Sequence, residues 1–164
     1  MLLLTASRRT SCPVTGPCIS TLRVYPNDLD VNGHVNNGVY LTYADLGRMD
    51  LLLRSGNFRK ILNQGWYPVV VAETIRFHKS LKLFQRFNIT TEVIGWDEKN
   101  FLLQQSFERN NEVVALAVIN ARFLSRKGGS VSTAEFMELL EITESSKPIP
   151  AWIEGWRDAT DKKS

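Results

Sequence analysis

Residues 37–54 place the strongest constraint on the fold of this chain. Apolar and small residues recur there at helical spacing, at positions 40, 43, 44, 47 and 51, and four leucines extend the apolar surface most of the way around. A helix with so little polar surface must be enclosed by the rest of the fold. At about 1.5 Å per residue it is roughly 27 Å long, enough to cross a sheet. Asn36 or Asn37 is expected to cap its start, and Gly56 to end it.

Segments on both sides of this helix show the two-residue alternation of β-strands. One strand is predicted before the helix, and the strands predicted after it cover residues 67–78, 86–94, 100–109 and 112–125. Asn110 and Asn111 tolerate the positive φ angles of a tight hairpin. The order predicts an α+β fold in which an antiparallel sheet curls around one buried helix. An amphipathic helix is expected over residues 131–143, with a capping box formed by Ser132 or Thr133 and Glu135.

Length and composition indicate one domain with a substantial core, since 43% of the 164 residues are hydrophobic. We expect a flexible N-terminal segment over residues 1–17, the main domain over 18–127, and a C-terminal helix and tail over 128–164, the tail lying on the body. A structural zinc site needs about four Cys or His ligands, and the two Cys and two His residues of this chain do not have the spacing of such a site. No stretch approaches the roughly 18 apolar residues of a membrane span, and no secretory signal is recognisable, so the expected location is the cytoplasm.

The net charge of +3 results from 20 basic and 17 acidic residues. The basic residues form no cluster along the sequence that would predict a phosphate-binding face. A solvated surface is therefore the preferred interpretation, and nucleic acid is not expected as a partner.

Residues 28–37, DLDVNGHVNN, combine two carboxylates, three amides and an imidazole directly before the apolar helix. The free N–H groups of a helix start favour an anion, including one that develops during acyl transfer. A carboxylate in the preceding loop can act as general base or nucleophile, while Asn and His orient a water or a carbonyl group. Ordinary turn and capping roles explain the same residue types about equally well.

The longer stretch DLDVNGHVNNGVY, placed after a strand and before the buried helix, resembles the motif of the hotdog-fold acyl-thioester hydrolases. The single-domain layout is similar to that of 4-hydroxybenzoyl-CoA thioesterase, and the motif is similar to that of the plant acyl-carrier-protein thioesterases. The resemblance covers roughly residues 19–126. It implies a hotdog fold, with about five antiparallel strands around one long helix, and a thioesterase that needs neither a metal nor a cofactor.

Carried over to this chain, the family's essential carboxylate is Asp30. Asn32 and His34 take the positions that assist by binding water or the thioester. The N–H group that polarises the thioester carbonyl belongs to Asn37, beside Gly38.

Other positions remain open alternatives. Tyr40 and Tyr43, with Met49 and the leucines at 51–53, either line an acyl tunnel or form simple core, and the core is favoured. The additional carboxylate of the plant enzymes falls on Arg76, with Glu73 expected on the opposite face. Asp45 and Asp50, in the helix, are expected to face solvent or a partner subunit.

The expected substrate is a fatty acyl-CoA, whose phosphates have candidate partners in Lys79, Lys82, Arg122 and Arg126. The alternatives are an acyl-carrier-protein thioesterase and a non-catalytic hotdog protein that binds acyl groups. An exposed sheet edge predicts a homodimer or homotetramer with the acyl site between subunits.

Overall fold

The computed structural model describes residues 10–161 and has the predicted α+β architecture. Over this range six strands form one antiparallel sheet: β1 (Cys18–Arg23), β2 (Trp66–Phe77), β3 (Arg86–Trp96), β4 (Phe101–Arg109), β5 (Glu112–Ser125) and β6 (Ser130–Val131). The strand order is β1-β3-β4-β5-β2, and the short β6 pairs with β5. The helices are α1 (Asn37–Arg54), α2 (Phe58–Asn63), α3 (Thr133–Leu139) and α4 (Ala151–Asp161).

Helix α1 has the predicted limits and lies enclosed by the concave face of the sheet. Tyr40 and Ala44 are 2% and 0% exposed, respectively. Gly47 allows the helix to approach the sheet closely, because a Cβ atom there would lie 2.9 Å from Gln105 Nε2 and 3.0 Å from Thr91 Oγ1. The helix is therefore the centre of the hydrophobic core, as its sequence pattern predicts.

The predicted hairpin between β4 and β5 is confirmed in position and conformation. Asn110 and Asn111 have φ angles of 53° and 63°, the left-handed conformation that a two-residue turn requires. Pro68 lies within β2, which is compatible with the position of β2 at one edge of the sheet.

Part of the segment predicted to be flexible packs onto the sheet instead. The N–H of Cys12 donates to the carbonyl of Arg54 at 3.4 Å, and the N–H of Val93 donates to the carbonyl of Thr15 at 2.7 Å. These backbone bonds attach residues 12–16 to α1 and β3, while the flexibility expected for residues 1–17 stays a prediction. Residues 1–9, the rest of that segment, lie outside the described residues.

The C-terminal part contains one predicted helix and one that the pattern does not reveal. At the start of α3, Ser132 and Glu135 form the expected capping box, although the helix ends at Leu139. The tail does lie on the body, but residues 151–161 form a helix, α4, whose Ile153 packs against Leu102 and Val118 on the outer face of the sheet. None of the helices in the described range is long and apolar enough to cross a membrane.

Candidate active site

Residues 28–37, here called the motif loop, fold into a turn around the Asp30 carboxylate. Asp30 Oδ1 accepts the N–H of Asn32 at 2.8 Å and that of His34 at 3.4 Å. The N–H of Asp30 donates to the carbonyl of His34 at 2.8 Å, and Gly33 takes a φ of 73° inside the turn. Asp30 is half-buried, whereas Asn32 is exposed. The carboxylate is thus held by backbone donors of its own loop.

The motif loop is joined to the connection between β2 and β3. The N–H of Val35 donates to the carbonyl of Leu81 at 2.9 Å, and His34 forms a β-bridge with Lys82. The Tyr40 hydroxyl accepts the N–H of Leu81 at 3.2 Å. These bonds fix the loop from two sides, so that Asp30 and His34 lie on a braced rather than a free segment.

Tyr40 and Tyr43, two candidates for substrate binding, lie in the hydrophobic core. They are 2% and 5% exposed, and their rings pack edge to face at 6.4 Å. Burial raises the pKa of Tyr40, and burial together with the Asp28 carboxylate raises the pKa of Tyr43. Both hydroxyls therefore stay protonated at neutral pH. Both tyrosines therefore lie in the core, which is the alternative that the sequence favoured. Their contact with substrate stays a prediction.

The start of α1 offers one open backbone donor. The N–H of Gly38 is taken by the Asn36 side chain at 2.8 Å, and that of Val39 by the Asn36 carbonyl at 2.9 Å. Within residues 10–161 the N–H of Asn37 has no hydrogen-bond partner. Asn37 and Gly38 are exposed, and the helix dipole favours an anionic oxygen at this end.

A cavity of about 270 Å³ lies between α1 and the concave face of the sheet. Met49, Leu51 and Leu52 contribute the wall formed by α1, whereas Tyr40 and Tyr43 do not line the cavity. Apolar residues from elsewhere in the chain form most of the remaining wall: Val14, Pro68, Val69, Val70, Val93, Phe101, Leu103, Ala121, Phe123, Phe136, Met137 and Ile142. A lining of this composition suits an aliphatic group.

Charged side chains form a network at one side of this cavity. Arg48 pairs with Asp45, donates to Gln105 Oε1 at 2.8 Å, and has Nη2 3.9 Å from Glu73 Oε2. Gln105 in turn donates to the Ala44 carbonyl and to Thr91 Oγ1, both at 2.9 Å. Among these residues, Asp45 and Arg48 line the cavity. Sequence reasoning missed Arg48 and Gln105, because the hydrogen bond between them joins positions that are 57 apart in the chain.

Three carboxylates considered as alternatives have distinct surroundings. Asp45, with 71% of its side chain exposed, reaches the cavity. Asp50 is only 1% exposed, because it accepts Ser20 Oγ at 2.7 Å and pairs with Arg54 at 3.1 Å. The expectation that Asp50 faces solvent or a partner was therefore wrong. Glu73 is directed toward Arg48 of α1, on the concave side of the sheet.

The motif loop and the cavity are separate within one copy of the chain. The loop precedes the first turn of α1, whereas Arg48 follows Asn37 by eleven residues, or about 16 Å along the helix. No residue of the motif loop is among the cavity residues of the described chain. A single copy thus keeps the open Asn37 donor away from the apolar cavity.

Comparison with known proteins identifies the family. The profile of the thioesterase-like superfamily matches residues 24–156, which include the motif loop and α1. The chain belongs to the thioesterase-like superfamily. Among its relatives in that superfamily, Protein THEM6 of Xenopus laevis is 37% identical over 132 residues, covering 79% of this chain and 64% of that protein. The chain therefore spans somewhat less than two thirds of the length of this relative.

Solved structures confirm the fold expected for the superfamily. The probable thioesterase YbaW from Escherichia coli has a TM-score of 0.69 at 27% identity, covering 76% of this chain and 96% of that chain. A mutant 4-hydroxybenzoyl CoA thioesterase complexed with 4-hydroxybenzoyl CoA has a TM-score of 0.66 at 17% identity, covering 74% and 96%. The hotdog architecture predicted from the sequence is confirmed.

Proposed function

We propose that this chain hydrolyses acyl thioesters, with fatty acyl-CoA as the substrate and Asp30 as the reacting carboxylate. The observation that carries the proposal is the open N–H of Asn37 at the start of α1, in the same braced loop as Asp30. A backbone donor at the positive end of a helix stabilises the oxyanion that develops when a thioester carbonyl is attacked. Family membership supports the reaction class.

The proposed reaction places the thioester carbonyl oxygen against the Asn37 N–H. Asp30 either takes a proton from a water that attacks the carbonyl carbon, or attacks that carbon itself and forms an anhydride that water then opens. In both routes the carbon–sulfur bond breaks, the thiolate leaves and takes up a proton, and the free acid is released. Asn32 and His34, adjacent to Asp30 in the loop, are proposed to position the water and the thioester.

The apolar cavity supports an aliphatic acyl group. Met49 and Leu52 are among the residues that line it, and Asp45 and Arg48 supply the charges in its wall. An acyl chain buried there would transfer its apolar surface from water, which favours binding by roughly 0.8 kcal/mol per methylene group. Two alternative functions would use the same cavity: hydrolysis of acyl-carrier-protein thioesters, and acyl binding without turnover. The assay described below distinguishes both from hydrolysis of acyl-CoA.

A second copy of the chain is proposed to complete the site. About 16 Å of α1 separates Asn37 from Arg48 within one copy, and the motif loop of one copy placed against the cavity of another would bring both to one substrate. The free edge of β2 supports such an assembly, because it is long and carries the exposed apolar residues Tyr67 and Val71. A homodimer is the smallest assembly that satisfies this requirement.

The test is release of free thiol from a panel of acyl-CoAs by the wild type and by Asp30→Asn. An asparagine keeps an oxygen that accepts the N–H groups of Asn32 and His34, so the loop retains its hydrogen bonds and the reacting charge is lost. We expect kcat to fall by about 100-fold or more. The matched control is Asp158→Asn, which changes an exposed carboxylate on α4.

Full activity of Asp30→Asn would refute the proposed mechanism. An absence of turnover on every chain length with the wild type would refute hydrolysis of acyl-CoA. Turnover of acyl-carrier-protein esters alone would then identify the carrier-protein enzyme.

A further inference from the structure

Phe84 adopts an unfavourable backbone conformation at an exposed position. Its φ is 58° and its side chain is 57% exposed, in the turn between β2 and β3. Bulky residues rarely take this left-handed conformation, which glycine or asparagine adopts at lower cost. Because the ring is largely outside the core, packing does not explain why an aromatic residue occupies the position. Strain of this kind indicates a function for the side chain.

Two arginines lie opposite each other beside this turn. Arg23 of β1 is the register partner of Arg86 of β3, and both are exposed on the outer face of the sheet. Like charges directly opposite in an antiparallel pair destabilise the sheet. Within residues 10–161 neither guanidinium forms an ion pair that would relieve this repulsion. An anion bound between them would do so.

An exposed tyrosine belongs to the same end of the sheet. The N–H of Val24 donates to the carbonyl of Gln85 at 3.0 Å, and the N–H of Phe84 donates to the carbonyl of Val24 at 3.1 Å. These bonds bring Tyr25, which is 57% exposed, next to the turn. We call Arg23, Tyr25, Phe84 and Arg86 the arginine–aromatic patch.

We propose that the arginine–aromatic patch binds the adenosine phosphate part of coenzyme A. Guanidinium groups form paired hydrogen bonds with phosphate oxygens, and aromatic rings stack on an adenine base. The patch combines both kinds of side chain, and the Asp28 carboxylate beside it already accepts the N–H of Tyr25 at 2.6 Å. Substrate binding there would remove the repulsion between the arginines and make use of the exposed Phe84 ring.

The position of the patch relative to the motif loop supports this assignment. The turn that carries Phe84 begins at Lys82, which is bridged to His34, and directly follows Leu81, which is bonded to Val35. A coenzyme whose nucleotide lies on the patch can therefore direct its thioester end toward Asp30. Lys79, a candidate from the sequence, is instead paired with Glu112 at 2.7 Å. The inference rests on the proposed function for the identity of the nucleotide.

The first experiment compares two substrates with the same acyl group. One is the acyl-CoA, and the other is its N-acetylcysteamine thioester, which has no nucleotide. For Arg23→Gln and Arg86→Gln we expect KM for acyl-CoA to rise about tenfold each, which corresponds to about 1.4 kcal/mol. The kinetic constants for the N-acetylcysteamine ester should not change. Phe84→Gly, which relieves the backbone strain and so should fold, is expected to raise KM for acyl-CoA alone. The matched control is Arg59→Gln, an exposed arginine on α2.

The second experiment measures binding of adenosine 3′,5′-bisphosphate by isothermal titration calorimetry, which needs no turnover. We expect the wild type and Arg59→Gln to bind it equally, and Arg23→Gln/Arg86→Gln to bind it at least about tenfold more weakly. Binding by an inactive wild type would support the patch while refuting the proposed function. Turnover with unchanged KM and unchanged nucleotide binding in the patch variants would overturn the patch alone.

Discussion

Gly47 shows how one residue sets the distance between the central helix and the sheet. The atoms nearest to a Cβ added at this position belong to the side chains of Gln105 and Thr91. Gln105 donates to Thr91 and accepts a hydrogen bond from Arg48, so the same two residues also position Arg48. The helical spacing of small and apolar residues predicts that position 47 faces inward. It does not predict the polar partners, because Arg48 and Gln105 are 57 positions apart in the chain.

Substitution of Gly47 by alanine is expected to destabilise the fold by about 1–3 kcal/mol, because the new methyl group overlaps the Gln105 amide. The matched control is Gly155→Ala in α4, where no atom lies within 4 Å of the added Cβ. There the alanine should stabilise by about 0.5–1 kcal/mol, through helix propensity and lower unfolded-state entropy. Urea unfolding of the three proteins measures both effects. Equal stability of Gly47→Ala and the wild type would contradict the close packing described for α1.

The proposed reacting groups illustrate what a local pattern can reveal about a site. Asp30 and Asn37 lie close in sequence, and both the motif and helix-capping physics single them out. The structure adds that the Asn37 N–H is open, whereas that of Gly38 is used in capping. The cavity could not be located in this way, since its wall combines residues as distant as Val14 and Met137.

Among the elements, those with a long and regular hydrophobic pattern are predicted best. Helix α1 and strand β5 have the limits expected from their sequences. Helix α2 is missed because it has six residues and Ile61 is its buried side chain, so its sequence shows no helical repeat of apolar residues. Helix α4 is missed because its contacts are made by Ile153 and Trp156 among many charged residues. Short or surface-lying helices depend on tertiary packing more than on their own pattern.

The attachment of α4 includes a titratable contact between elements. Burial raises the pKa of the Asp97 carboxyl, but hydrogen bonds from the N–H groups of Lys99 and Asn100 and from Arg157 of α4 outweigh it. The pKa of Asp97 therefore lies below its usual value in the folded protein. A carboxyl with a depressed folded pKa contributes stability that is present above its unfolded pKa, about 3.9, and is lost as the pH falls through the folded value.

We expect the unfolding free energy of the wild type to decrease more between about pH 7 and pH 2 than that of Asp97→Asn. At neutral pH the variant should be the less stable of the two, because an amide pairs more weakly with Arg157. Denaturant unfolding at a series of pH values provides the measurement, and Asp158→Asn, on the same helix as Arg157, is the control. Parallel stability curves for the wild type and Asp97→Asn would contradict this role for the carboxylate.

At the scale of the whole molecule, the main prediction concerns assembly through the edge strand β2. Val71 is 38% exposed and lies near the middle of this strand. If two copies pair along β2 about a two-fold axis, the two Val71 side chains lie close to each other. Val71→Lys would then bring like charges together.

We expect Val71→Lys to sediment as a monomer and to lose most thioesterase activity, although Val71 does not line the cavity and is not part of the motif loop. Ile19→Lys is the matched control, because Ile19 is exposed on β1 at the opposite edge of the sheet. That variant should keep both the dimer and the activity. An active monomer of Val71→Lys would refute a site shared between subunits.

Helix α4 has a consequence for how far such an assembly can extend. Its Ile153 covers Leu102 and Val118 on the outer face of the sheet, while α1 fills the concave face. A second sheet cannot stack on those apolar side chains without first displacing α4. Growth through the sheet would therefore run sideways, from strand to neighbouring strand, through the edge strands β1 and β2.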